Sequence, residues 1–104
     1  MRVAIPIAEG KRVMHFIHCR QFALIDADER NKKIIKKEIV PAPSYQPGLL
    51  PKWLHERETD LIITWGMSSR ARSVYAQNNI RVVTGAPSEE PEKLVIDYLN
   101  GTLG

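Results

Sequence analysis

The stretch that decides the fold is Leu61-Ile62-Ile63-Thr64-Trp65-Gly66-Met67-Ser68-Ser69-Arg70-Ala71-Arg72-Ser73-Val74-Tyr75. Its opening, Leu61 to Trp65, reads as a strand. Gly66 breaks the run, Ser68 or Ser69 can cap a helix, and Ala71, Val74 and Tyr75 recur at helical spacing. Asn78-Asn79 suit a left-handed stop, and Ile80 to Thr84 reads as the next strand. A strand, a helix and a second strand in this order predict a parallel pair joined by a right-handed crossover.

Beyond this unit, Gly85-Ala86-Pro87-Ser88 leads into a last helix. Glu89, Glu90 and Glu92 complement its positive end, Leu94, Val95, Tyr98 and Leu99 form its stripe, and Gly101 stops it. Before the unit, Leu49, Leu50, Trp53 and Leu54 predict a helix near Leu50 to Glu58, with Pro51 tolerated in its first turn. Pro41, Pro43 and Pro47 mark the extended loop ahead of that helix. Gln21 to Asp26 and Ile34 to Val40 are β-rich runs, and the polar connection between them lacks an Asn-Gly signal, so an antiparallel pair with a loose turn is expected. Val3 to Ile7 is a short buried strand in which Pro6 argues against complete ladder pairing. The order is βββαβαβα: an α/β protein, a three-layer α/β/α arrangement with a five-stranded mixed sheet in which Val3 to Ile7 and Leu61 to Trp65 are central and parallel. Expected core positions are Ile5, Ile7, Phe22, Leu24, Leu54, Ile62, Val74, Val82 and Leu99.

At 104 residues, with 43% hydrophobic and 26% charged content, the chain fits one domain spanning 1–104 and lacks the bias of a disordered segment. No apolar run reaches the roughly 18 residues that span a bilayer, so no membrane partner is expected. Met1-Arg2 leads straight into a strand rather than a signal-peptide core, which points to the cytoplasm. Fifteen Lys and Arg against 12 Asp and Glu give a net +3. Much of the positive charge lies in Arg30 to Lys37 without interleaved aromatic residues, which reads as a solvated hairpin and not as a specific nucleic-acid surface. Cys19 is the single cysteine, so an intrachain disulfide is excluded.

Ligands of open α/β sheets bind outside the carboxyl ends of the parallel strands. Three segments should converge there: His15-Phe16-Ile17-His18-Cys19, Gly66-Met67-Ser68-Ser69-Arg70, and Gly85-Ala86-Pro87. His15, His18 and Cys19 offer two imidazoles and a thiolate, suited by softness to zinc, copper or iron and iron-sulfur species. The alternative is two solvent-exposed or hydrogen-bonded histidines and a small buried cysteine. Backbone amides at Gly66 to Ser69 can receive an anion, with Arg70 or Arg72 adding charge. Equally, Ser68 can serve only as a cap and Met67 as core filler. Catalysis is not expected. A two-metal nuclease needs several converging carboxylates. Glu9 follows the first strand, Asp26 stands alone and Asp60 lies at the wrong end of its strand. The phosphate-loop, dinucleotide and H-E-x-x-H motifs are absent. Cys19 with His15 or His18 makes a nucleophile only formally, because sequence proximity does not position a base.

Four ordered blocks then resemble one family. They are His15-Phe16-x-His18-Cys19-x-x-Phe22, Pro47-Gly48-x-Leu50-Pro51-x-Trp53-Leu54, Gly66-Met67-x-x-Arg70-Ala71, and Ile80-x-Val82 with Gly85. From Met1 to about Gly101 the chain is similar to the dinitrogenase iron-molybdenum cofactor biosynthesis family, which includes NifX-like proteins and the C-terminal domain of NifB-like proteins. The resemblance implies a ribonuclease H-like fold and a role related to nitrogen fixation. It implies a non-enzymatic binding or carrier protein for an iron-sulfur or iron-molybdenum type cofactor or its precursor in metallocluster biosynthesis. Metallocluster donor or acceptor proteins are the implied partners. His15, His18 and Cys19 would ligate the metal, while Gly66, Met67, Ser68, Ser69 and Arg70 would touch the cargo and its anionic periphery. Ile17 stands where the family usually has glycine, adding β-branched bulk beside the ligands and restricting positive φ. Trp65 and Ser68 replace glycines of the family's Gly-Gly-Met-Gly. The alternative on the same fold is a metal-free regulatory or interaction module that recognises a small anion.

Overall fold

The computed structural model describes residues 1–8, 12–13, 21–43, 49–86 and 90–102. Its elements are β1 (Arg2–Ala8), β2 (Arg12–Val13), β3 (Gln21–Asp28), β4 (Lys33–Pro41), α1 (Leu49–Glu56), β5 (Leu61–Ile63), α2 (Ser69–Gln77), β6 (Arg81–Val83) and α3 (Pro91–Leu99). Five strands form the sheet in the order β4-β3-β1-β5-β6, and two-residue β2 adds to the end of β1. β1, β3 and β4 make an antiparallel meander, whereas β1, β5 and β6 are parallel. This is the expected α/β arrangement of a five-stranded mixed sheet with three helices, and the expected parallel contact joins Val3 to Leu61 and Ala4 to Ile62.

Pro6 sits in the central strand without cost to the β3 ladder. Met1 and Ala27 exchange hydrogen bonds at 2.8 and 3.1 Å. Alternation from that pair makes Val3, Ile5 and Ile7 the residues bonded to β3, and turns the missing donor of Pro6 toward β5. The β1–β5 register ends at Ala4 and Ile62, before Pro6 would have to donate.

Period-two alternation divides the core between the two faces of the sheet. Val3, Ile5, Ile7, Ala23, Ile25, Leu61 and Ile63 pack with Leu94 and Val95 of α3. Ala4, Phe22, Leu24 and Ile62 pack on the other face with Leu54 of α1 and Tyr75 of α2. Burial of apolar surface in these two clusters contributes about 25 cal/mol per Å². Ile5, Ile7, Phe22, Leu24, Leu54 and Ile62 are buried as expected. Val82 and Leu99 are half-buried at the margins of the clusters, because β6 is an edge strand and Leu99 ends α3.

Val74 corrects the expected core list: it is 36% exposed. Tyr75 is the buried residue of α2, and one helical step of about 100° carries Val74 away from the sheet. β2 was not foreseen, since a two-residue pair containing an arginine carries no periodicity. The loose β3–β4 turn is an Asx turn in which Asp28 Oδ1 accepts from the amides of Arg30 and Asn31 at 3.0 and 3.1 Å.

Candidate functional site

The parallel strands β1, β5 and β6 bring their carboxyl ends to one edge of the sheet. There the segments after β5 and β6 are joined by backbone bonds. Thr64 N–H donates to Val83 O at 3.0 Å, Gly85 N–H to Trp65 O at 2.9 Å, and Ala86 N–H to Thr64 O at 3.2 Å. Gly85 makes the turn at φ +81°, a region that L side chains disfavour. Thr64 is fully buried in this junction. Its role was missed in the sequence, where the only sign was a polar residue ending an apolar strand.

The described flanks of the third segment reach the same edge. Val13 and Gln21, which bracket residues 14–20, both register with Ile7 near the carboxyl end of β1. His15, His18 and Cys19 themselves lie outside the described residues, as do Ile17, Glu9 and Pro87. Among the described residues, no group of three His, Cys, Asp or Glu side chains could hold a metal ion.

The second segment is described throughout. Gly66 and Met67 are half-buried, and Met67 packs against the core cluster beneath α1 and α2, so one side of its thioether serves as filler. Ser68 has extended backbone (φ −67°, ψ 156°), and its Oγ accepts the Ala71 amide at 3.2 Å, which makes it the N-cap of α2. Ser69 and Arg70 are exposed in the first turn, with Ser69 O accepting from Ser73 Oγ at 3.1 Å. The helix start therefore presents a partial positive charge and the Arg70 guanidinium, while the Ser68 hydroxyl is already engaged. Trp65, immediately before this segment, is 61% exposed.

Two of the carboxylates a nuclease would need, Asp26 and Asp60, sit elsewhere. Asp26 pairs with Arg2 (Nε to Oδ1, 2.8 Å), and Asp60 Oδ2 accepts the Arg2 amide at 2.9 Å, both at the amino end of β1. Hydrogen bonding from Arg2 holds the Asp26 carboxyl below the usual carboxylate range and raises the Arg2 guanidinium. Arg2 also donates to Arg57 O at 2.6 Å, and the Arg57 guanidinium lies 3.8 Å from the Trp53 ring centroid. This network ties β1 to the end of α1, away from the carboxyl edge. An open groove of about 780 Å³ runs along the outer edge of β6, lined by Arg72, Asn79, Arg81, Val82 and Tyr98 among others. Arg72 thus borders that groove, which includes none of residues 66–70.

Residues 1–101 match the model of the family described as dinitrogenase iron-molybdenum cofactor. Among solved structures, PH0822 is 28% identical, with a TM-score of 0.88 over 100% of this chain and 93% of that one. A protein of Methanocaldococcus jannaschii, MJ0327, assigned provisionally as a dinitrogenase, is 16% identical, with a TM-score of 0.78 over 100% of this chain and 92% of its own. TM1290 from Thermotoga, assigned provisionally as a NifB protein of the DUF35 family, is 16% identical, with a TM-score of 0.70 over 97% and 89%. The last two likenesses concern the fold alone. No curated protein matches the chain.

Proposed function

Because the chain belongs to the dinitrogenase iron-molybdenum cofactor family, we propose that it binds and carries an iron-sulfur or iron-molybdenum type cluster, or a precursor, and catalyses no reaction on it. The observation that carries this reading is convergence at one sheet edge. The flanks of the His15-to-Cys19 segment meet at Ile7, beside the bonded loops that follow β5 and β6. Cys19 thiolate is the strongest soft donor, and His15 and His18 add borderline nitrogen donors. The α2 start with Arg70 favours the negative periphery of a sulfide-bearing cargo. Such a carrier exchanges its cargo with metallocluster donor or acceptor proteins, for which an edge site is more accessible than a closed cavity.

Metal analysis and visible absorption of protein purified without oxygen test this proposal. Iron together with a sulfide-to-iron charge-transfer band is the expected result. Protein that stays colourless after anaerobic exposure to ferrous iron and sulfide would favour the metal-free module, with a small anion at Ser69 and Arg70.

A further inference from the structure

The nine-residue strand β4 pairs only with β3, so its other side is a sheet edge among the described residues. In β3 the residues bonded to β1 alternate with those bonded to β4. Phe22, Leu24 and Asp26 therefore bond to Val40, Glu38 and Lys36, and the backbone groups of Lys37 and Ile39 point outward. Two large apolar side chains lie exposed on this strand, Ile35 at 66% and Ile39 at 37%. The register shift between Asp26 and Ala27 pairs Ala27 with Ile34 and skips Ile35, so Ile34 packs on the α3-side core while Ile35 remains outside it.

We propose that β4 pairs antiparallel with β4 of a second copy of this chain, about a two-fold axis through Lys37, extending one sheet through the dimer. In that register Lys36 lies opposite Glu38 of the other copy on the α1/α2 side, and Ile35 lies opposite Ile39 on the α3 side. Symmetry makes each pair twice, as in any isologous contact. Lys37 meets its own copy on the axis, but each Lys37 Nζ is held 2.9 Å from Glu92 Oε1 of its own chain, which offsets the like charge. Neighbouring registers are worse. An axis at Lys36 places Lys36 against itself and Lys37 against Ile35, and an axis at Glu38 places Glu38 against itself and Lys37 against Ile39. The lysines that keep an edge from indiscriminate pairing thus also select one register.

Sedimentation equilibrium of the full chain, with far-UV circular dichroism to verify folding, tests it by charge exchange. The wild type should dimerise. Lys36→Glu and Glu38→Lys should each raise the dimer dissociation constant by about tenfold or more, since each turns two opposite-charge pairs into like-charge pairs. The double variant Lys36→Glu/Glu38→Lys should restore dimerisation. Ile35→Lys, altering a side chain already in solvent, should also weaken it. A wild type that stays monomeric up to its solubility limit would overturn the proposal. So would a dimer indifferent to the single variants, or a folded double variant that fails to recover.

Discussion

The Gly85 amide donates to the Trp65 carbonyl at 2.9 Å, joining the loop after β6 to the loop after β5 at the carboxyl edge of the parallel strands. The bond depends on a backbone conformation (φ +81°) that glycine enters freely.

Gly85→Ala should destabilise the protein by roughly 1–2 kcal/mol, the cost of holding an L residue in the left-handed region. A Cβ there would meet nothing within 4 Å, so the loss comes from backbone strain and not from collision. Urea denaturation should show a lower midpoint with an unchanged slope. An unaltered midpoint would contradict the role given to this turn.

Ser68→Ala should cost about 1 kcal/mol through loss of the cap on the Ala71 amide, while Ser69→Ala should change stability little. The two variants also separate roles at the helix start. If Ser68 serves as a cap, its replacement lowers the unfolding midpoint without altering anion affinity measured at neutral pH.

The Arg2–Asp26 pair sets an acid limit on stability. Asp26 has a folded pKa below its unfolded value, so its contribution is full above about pH 4 and disappears as the pH falls through the folded value. Both side chains are nearly one-third exposed, which keeps the contribution to at most about 1 kcal/mol. Asp26→Asn should lower stability at pH 7 and flatten its decline below pH 4. Equal acid sensitivity in wild type and variant would assign the decline to other carboxylates.

Phe22→Ala should cost about 3–5 kcal/mol, as for other buried aromatic truncations. Phe22 is fully buried and its ring centroid lies 5.6 Å from that of Trp53, so the change also loosens the contact between β3 and α1. A loss below 1 kcal/mol by urea denaturation would show that the cluster collapses around the deletion.

Much of this architecture was legible because strand and helix periods are distinct. Leu61-Ile62-Ile63 had no polar face, so it had to lie inside the sheet, and the spacing of Leu94, Val95, Tyr98 and Leu99 exposed the apolar side of α3. Val74 misled because α2 buries little: with most of its surface polar, an apolar residue one position from Tyr75 could not reveal which way the helix faced. Strand ends were less visible still, since Trp65 resumes the apolar character past Thr64 although β5 ends at Ile63, and both residues bond with the end of β6 and the loop after it. For the edge of the sheet, chain order and parallel pairing were enough to place the segments after β5 and β6 together, with the flanks of residues 14–20 at Ile7. Residue type alone could not distinguish Ser68 as a ligand from Ser68 as a cap, because both roles use the same oxygen.

The central claim concerns Cys19, with His15 and His18 as companions, and anaerobic titration of an iron-sulfur donor followed by absorbance tests it directly. The account predicts that wild type takes up cargo, Cys19→Ser loses most of it, His15→Ala loses part, and Met67→Leu retains it. Ile17→Gly should increase uptake by relieving bulk beside the ligands. Equal uptake by wild type, Cys19→Ser and His15→Ala, or uptake by none of them, would contradict the account.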